Sequence, residues 1–358
     1  MTEAARRAEQ NEAEAFWAVH YEFLVLNGYL LRPRCHPKWR PSWDLEENRD
    51  VDPSTFEDWI TSPARHHVMD ATRMQDGALV YIKCVEKGAL EEKIARMFSR
   101  ADLAAKPENH CVPITGFIEG DKDKGVDFIV MPFLRPVNKP PFETVDDVID
   151  FVDQILEGLK FIHQQGVAHR DCSVQNLMMD ANSLFPEGFH PVSLILDPTA
   201  TRLAKQKPRS SARVKYYYVD FGISVHILPG QPKLALGGAG RDQSVPELSH
   251  VVPYDPFLVD IYIIGNMFKT FLHKVYANVD FLAPLITAMT MEDPSDRPDA
   301  TEAVRRWHQL KGTISSFRRK SRLRAISEPW LTSFVLGGID IVGRGGKGLL
   351  SWMGDWQG

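Results

Sequence analysis

The sequence predicts an α+β fold in two unequal lobes, a small strand-rich one followed by a larger helical one, with a cleft between them. Three stretches carry that expectation. VMDATRM and ALVYIKCV flank QDG, two strand-like runs around an Asp-Gly turn, which is the strongest short-range hairpin signal. RPVNKPPF at 135–142 holds three prolines and reads as a hinge or linker outside regular structure. Beyond it, TVDDVIDFVDQILEGLKFIHQQG repeats apolar residues at helical spacing, with Thr144 as N-cap and Gly166 as the stop.

Composition sets the class. The chain has 358 residues, enough for one large domain or two lobes with a tail; 44% are apolar and 25% charged, ordinary values for a soluble globular protein. A net charge of −5 does not recommend nucleic acid as a partner. Cys35, Cys84, Cys111 and Cys172 show no C-x-x-C pair and are too few for a disulfide framework, so they read as reduced. The opening MTEAARRAEQNEAEAF is too charged for a secretory signal, and no apolar run is long enough to span a bilayer. The expectation is an intracellular protein, cytoplasmic or nuclear. The histidines show no H-E-x-x-H spacing, and no structural metal is assigned.

Taken in order, residues 11–31 read as a helix, with Phe16, Val19, Phe23, Leu24 and Tyr29 as its stripe and Gly28 near its end. RPRCHPKWRPSW reads as an extended strap, and residues 44–60 as an acidic loop or short helix. After the hairpin, ALEEKIARMFSRADLAA at 89–105 reads as a helix and FIVMPF at 128–133 as a buried strand. Further helices are expected near 259–275, 280–290 and 301–311.

The chemistry-bearing residues are spread along this frame. Lys83 lies on the second hairpin strand, Glu91 opens E-x-x-I on the following helix, and HRDCSVQN at 169–176 has the spacing H-R-D-x-x-x-x-N. Asp220-Phe221-Gly222 follows the strand-like KYYYV. Singly, each has an ordinary reading: a solvated edge lysine, a helix acid facing water, a common turn. Their order, each on the expected element, argues otherwise.

In this order and spacing, over roughly residues 64–311, the chain resembles the eukaryotic protein kinases. The resemblance implies a bilobal protein-kinase-like fold that uses ATP and Mg²⁺. Lys83 would hold the nucleotide phosphates and Glu91 would pair with it, Glu92 being the neighbour if the helix is one position out of register. Asp171 would take or orient the acceptor proton, Arg170 would read an acidic group on the activation segment, and Asn176 and Asp220 would hold metal. Met131, Leu134 and Met178 carry over as further nucleotide contacts. Pro246-Glu247 resembles the end of the activation segment, Arg297 its buried partner, and Asp260 the acid that ties down the catalytic loop. That trio argues for a protein kinase over a choline- or aminoglycoside-kinase-like enzyme. The proline-tryptophan strap, VMDATRM, NHCVP and HRDC…NLMMD look like the kinase-like proteins of mushroom-forming fungi. The implied division is 1–60 (N-terminal helix and strap), 61–134 (N-lobe), 135–311 (C-lobe with an insertion at 181–215) and 312–358 (a basic, then glycine-rich apolar tail).

The departures from the pattern are as informative. TFEDWITSPARHHV upstream of Lys83 offers no glycine-rich loop, so the nucleotide clamp weakens. Tyr81 stands where a small alanine usually packs on adenine, and Ser173 and Gly240 replace the usual lysine and threonine. Losing one such positioned charge costs about 10²-fold in rate, by analogy with oxyanion-hole deletions. The expected function is therefore transfer of the ATP γ-phosphoryl group to a protein Ser/Thr hydroxyl. The alternative is a pseudokinase, a binding or regulatory module. Residues 202–215 carry Arg202, Lys205, Lys207, Arg209, Arg213 and Lys215 with no acid among them: a solvated basic loop, or a dock for an acidic partner. Ser224 and Ser244 are the hydroxyl residues between Ile223 and Val245, neither at mid-loop, which argues against phosphorylation control. SSFRRKSRLR is a solvated helix end, an anionic-surface contact or a nuclear address.

Overall fold

Asp76-Gly77 turns the chain where expected, pairing β2 (Val68–Arg73) with β3 (Leu79–Glu86) in antiparallel register, Lys83 opposite Val68. In the computed structural model, residues 7–63, 67–120 and 125–328 are described. The sheet continues outward through β1 (Tyr29–Leu31), β4 (Gly116–Ile118) and β5 (Val126–Pro132) in the order β1-β2-β3-β5-β4, all antiparallel. Its outer face buries Met69, Ala71, Val80, Ile82, Phe128 and Val130 against Trp17 and Leu24.

Residues 11–31 do not form one helix. Asn11 caps α1 (Glu12–Ala18) in a capping box with Glu14, α2 (Tyr21–Leu26) follows, and Gly28 at φ +86° turns the chain into β1. The apolar stripe is served by helix and strand alike, because both bury that side against one sheet. Residues 32–63 then leave the sheet after β1 and run through short 3₁₀ turns. The strap is not merely extended: the Arg34 guanidinium and Glu14 carboxylate form a fully buried bidentate pair, and Trp39 Nε1 donates to Asp58.

The helix expected over 89–105 breaks into α3 (Leu90–Phe98) and α4 (Ala101–Ala104). The proline-rich stretch contributes regular structure after all, since β6 (Arg135–Pro136) pairs with β8 (Leu177–Asp180). Pro136 tolerates that place on an edge strand. In the large lobe α5 (Val145–Gln164) is the central helix, its face from Val148 to Ile162 wholly buried. Around it lie β7 (Val167–Ala168), β9 (Lys215–Tyr218), β10 (Val225–His226), α6 (Pro256–Met267), α7 (Ala283–Met289), α8 (Ala300–Gly312) and α9 (Ser316–Arg319). After Met267, α6 ends in a π-turn over Phe268–His273. The result is the expected bilobal α+β, kinase-like architecture.

The basic stretch does not behave as a solvated loop throughout. Arg209 is buried and donates to the carbonyls of Val137, Pro140 and Pro141 and to the Tyr216 hydroxyl. Lys205 pairs with Glu187 and Arg202 with Asp197. Arg318 and Arg319 pair with Asp280 and Asp146 and so join the later basic run to the large lobe, while Arg322 pairs with Glu328 within the tail itself. The glycine-rich apolar tail lies outside the described residues. Among the described residues no helix is long and apolar enough to cross a membrane.

Candidate active site

Three elements meet at Lys83. Alternation along β3 points Leu79, Tyr81 and Lys83 to the face opposite the outer core. Lys83 Nζ lies 2.5 Å from Glu91 Oε1 on α3 and 2.7 Å from Asp220 Oδ1. Burial alone would push the Lys83 ammonium down, but the charges of Glu91 and Asp220 outweigh it and hold it above its ordinary value. Burial likewise raises Asp220, and the Lys83 charge reverses the sign, leaving that carboxyl below its usual range. Glu92 is engaged elsewhere, with Arg96 at 2.7 Å and the Gly88 N–H at 3.0 Å, so the helix register puts Glu91 in the cleft.

Phe221 positions Asp220. Its ring is buried between Phe98 and His169, at centroid distances of 5.7 and 4.8 Å. Asp220 adopts φ +65°, a strained conformation for a non-glycine residue. A Cβ on Gly222 would stand 3.2 Å from the Asp220 carboxylate, a tight contact that would press on the group Lys83 holds.

The second carboxylate is built by the loop after β7. Asn176 Nδ2 donates to the Asp171 carbonyl and to Asp171 Oδ2, both at 2.9 Å. Asp260, wholly buried on α6, accepts the N–H groups of His169 (2.7 Å) and Arg170 (2.6 Å) and a hydrogen bond from His163 Nε2 (2.9 Å). These bonds hold Arg170 at φ +66°. Arg170 is already occupied, its guanidinium donating to the carbonyls of Ile223, Leu236 and Gly237 and to the Tyr254 hydroxyl. No acidic side chain is among those partners, and Ser224 is buried with its hydroxyl on the His169 carbonyl. Glu247 and Arg297 make a bidentate pair at 2.6 and 2.9 Å.

The remaining candidates fall in three places. Met131 lines a cavity of about 30 Å³ with Lys83, Glu91, Asp220 and Phe221. Leu134 is buried just past β5, and Met178 is half-buried on β8 opposite Tyr217. Tyr81 lies flat on Phe133, ring centroids 4.3 Å apart and planes 21° apart, and Phe133 in turn meets Phe189 of the insertion. In place of a glycine-rich loop the chain has the excursion of residues 32–63 after β1. The Ser173 hydroxyl is buried without a hydrogen-bond partner. Arg241, not singled out by spacing, donates its backbone N–H to Asp171 Oδ1 at 2.9 Å and sets Nε 3.6 Å from Oδ2. Its signal in the sequence was only a cation directly after Gly240.

The donor set suits a hard divalent cation. Lys83 bridges the Glu91 and Asp220 carboxylates, and Asn176 gives its NH₂ to Asp171, which leaves its carbonyl oxygen available. Among the described residues no three His, Cys, Asp or Glu side chains cluster closely enough to hold a metal alone. Mg²⁺ needs no such cage, since it keeps several waters and phosphate oxygens beside one or two protein oxygens.

No protein-family profile matches the chain. Calcium/calmodulin-dependent protein kinase type 1 of Caenorhabditis briggsae is 29% identical over 146 residues, 38% of this chain and 39% of that protein. Sperm motility kinase 1 of Mus musculus is 27% identical over 120 residues, 34% of this chain and 18% of that protein. The matches thus span well under half of either relative. Together with the fold, they support a relation of this chain to the protein-kinase superfamily.

Proposed function

We propose that the chain is a protein kinase that transfers the γ-phosphoryl group of ATP to a Ser/Thr hydroxyl of a protein, with Mg²⁺. The observation that carries this reading is the convergence of Lys83, Glu91 and Asp220 within 2.7 Å, from elements up to 137 positions apart. Mg²⁺, when bound, would neutralise phosphate charge, with Asp220 and Asn176 as its protein ligands. Lys83, oriented by Glu91, binds phosphate oxygens. Asp171, fixed by Asn176, accepts the proton of the attacking hydroxyl. Met131, Leu134 and Met178 would line the base, and Arg170 orders the activation segment through its carbonyls without a phosphate.

One observation favours a second reading, a pseudokinase acting as a binding or regulatory module. The Tyr81–Phe133 stack occupies the β3 face where the base would lie. A thermal-shift titration separates the two. A nucleotide-binding cleft gains about 2.7 kcal/mol when Mg²⁺-ATP reaches a hundred times its Kd. No shift at millimolar nucleotide selects the module. Where binding is seen, Asp171→Ala should lower turnover by about 10²–10⁴-fold, the usual contribution of a positioned base. Undiminished turnover would refute the assigned role.

A further inference from the structure

We propose that Arg241 supplies the cation that the catalytic loop lacks at Ser173; this deepens, and rests on, the phosphoryl-transfer reading. Ser173 carries no charge, and its hydroxyl is turned into the protein. Arg241 is anchored by its backbone N–H on Asp171 Oδ1, and its side chain is 58% exposed, so the guanidinium is free to move while its root stays at the base. The loop beneath it is fixed. Gln243 Nε2 donates to the carbonyls of Gly238 (2.8 Å) and Gly240 (2.5 Å), and Asn266 donates to Asp242 at 2.7 Å.

Gly240 makes the approach possible. A Cβ there would come within 2.5 Å of the Arg170 carbonyl oxygen. The residue that removes a threonine hydroxyl from the site is therefore also the one that lets the next residue reach Asp171. Other described cations nearby are committed. Arg170 is bound to carbonyls and Tyr254, Lys83 to Glu91 and Asp220, and Lys233 lies over the Phe257 ring. In the insertion, Arg209 is buried on carbonyls, and Arg202 and Lys205 pair with Asp197 and Glu187 of the insertion itself rather than with Asp171.

In the transfer step the acceptor oxygen bonds to the γ-phosphorus as the bond from that phosphorus to the β–γ bridging oxygen breaks. ADP leaves with that electron pair, and the hydroxyl proton passes to Asp171. As the acceptor hydroxyl takes Asp171, the Arg241 guanidinium moves from the carboxylate to the oxygens of the group in flight, and it stays protonated throughout.

The test uses the full chain with Mg²⁺-ATP and dephosphorylated casein. Arg241→Ala should lower kcat by about 10²-fold, the cost of deleting one positioned charge or donor, with the ATP KM unchanged. Arg241→Lys should keep most of the rate, and Ser173→Lys should restore it in the Arg241→Ala background. Independently of turnover, Mg²⁺-ADP with aluminium fluoride should stabilise the wild type more than Arg241→Ala, while Mg²⁺-ATP shifts both alike. An Arg241→Ala protein that melts normally and turns over as fast as wild type, or faster, overturns the proposal; faster turnover would make Arg241 a latch on Asp171. A wild type that neither binds Mg²⁺-ATP nor transfers phosphate overturns the parent reading, before any variant is made.

Discussion

Arg297 shows how much one side chain can organise. Its guanidinium is fully buried and donates to both Glu247 oxygens and to the carbonyls of Met291, Leu258 and Glu292. A pair this dry gains little over an apolar substitute, yet halving it strands a buried charge. Arg297→Ala should therefore lose roughly 3–5 kcal/mol. Urea denaturation measures it, and a change below 1 kcal/mol would contradict the pairing. This pair was expected from the sequence only through the resemblance of SVPELS and DPSDRP to protein-kinase motifs. Arg241 was not, because nothing in GAGRD says that the segment folds back onto the base. Glu91 could be told from Glu92 only once the helix register was known.

At the scale of elements, α5 was read nearly to the residue from its cap and its stop, because capping and periodicity are local. Its tightest contact was not legible. A Cβ on Gly158 would stand 2.6 Å from His110 Cβ and 2.9 Å from the Tyr218 ring, so the glycine lets β9 and the residues before β4 close onto the helix. Gly158→Ala sets about 1 kcal/mol of helix propensity against about 1–3 kcal/mol of overpacking. We expect a net loss, seen as a lower urea midpoint at unchanged m-value; a gain would show that the helix can shift. Local reasoning also misjudged residues 11–31. Apolar residues at three-to-four spacing satisfy a helix, but β1 earns its place only from the ladder it forms with β2.

For the whole molecule, the two unusual segments meet each other directly. His190 of the insertion accepts the N–H groups of Val192 and Ser193 at Nδ1, so its Nε2 carries the proton and donates to Glu57 of the strap at 3.3 Å. Glu57 also accepts from Arg32 at 2.8 Å, and beside them Asp70 on β2 is buried with one oxygen unpartnered. Burial raises Asp70 above 3.8, only partly opposed by the Arg32 charge. A carboxyl raised on folding binds more protons folded than unfolded, so its contribution declines as pH climbs from 3.8 through the raised value. Glu57 runs the other way: burial raises it, but His190 and Arg32 leave it lowered, so its contribution holds above 4.5 and fades as pH falls. Asp70→Asn removes the first effect and also relieves Glu57 of a neighbouring like charge. It should melt higher than wild type at pH 7, by roughly 1 kcal/mol, with the advantage gone near pH 4. An advantage independent of pH would exclude the carboxylate as its source.

The strand hairpin, the central helix and the ordered motifs were determined by the sequence alone, since turn chemistry, capping and side-chain period act over a few neighbouring residues. Tertiary structure alone decided where residues 32–63 and the insertion go, that Tyr81 lies on Phe133, and that Arg241 reaches Asp171. Those contacts join segments tens of residues apart. Their free energy comes from buried area and from charges meeting in a low dielectric, quantities with no signature along the chain until it has folded.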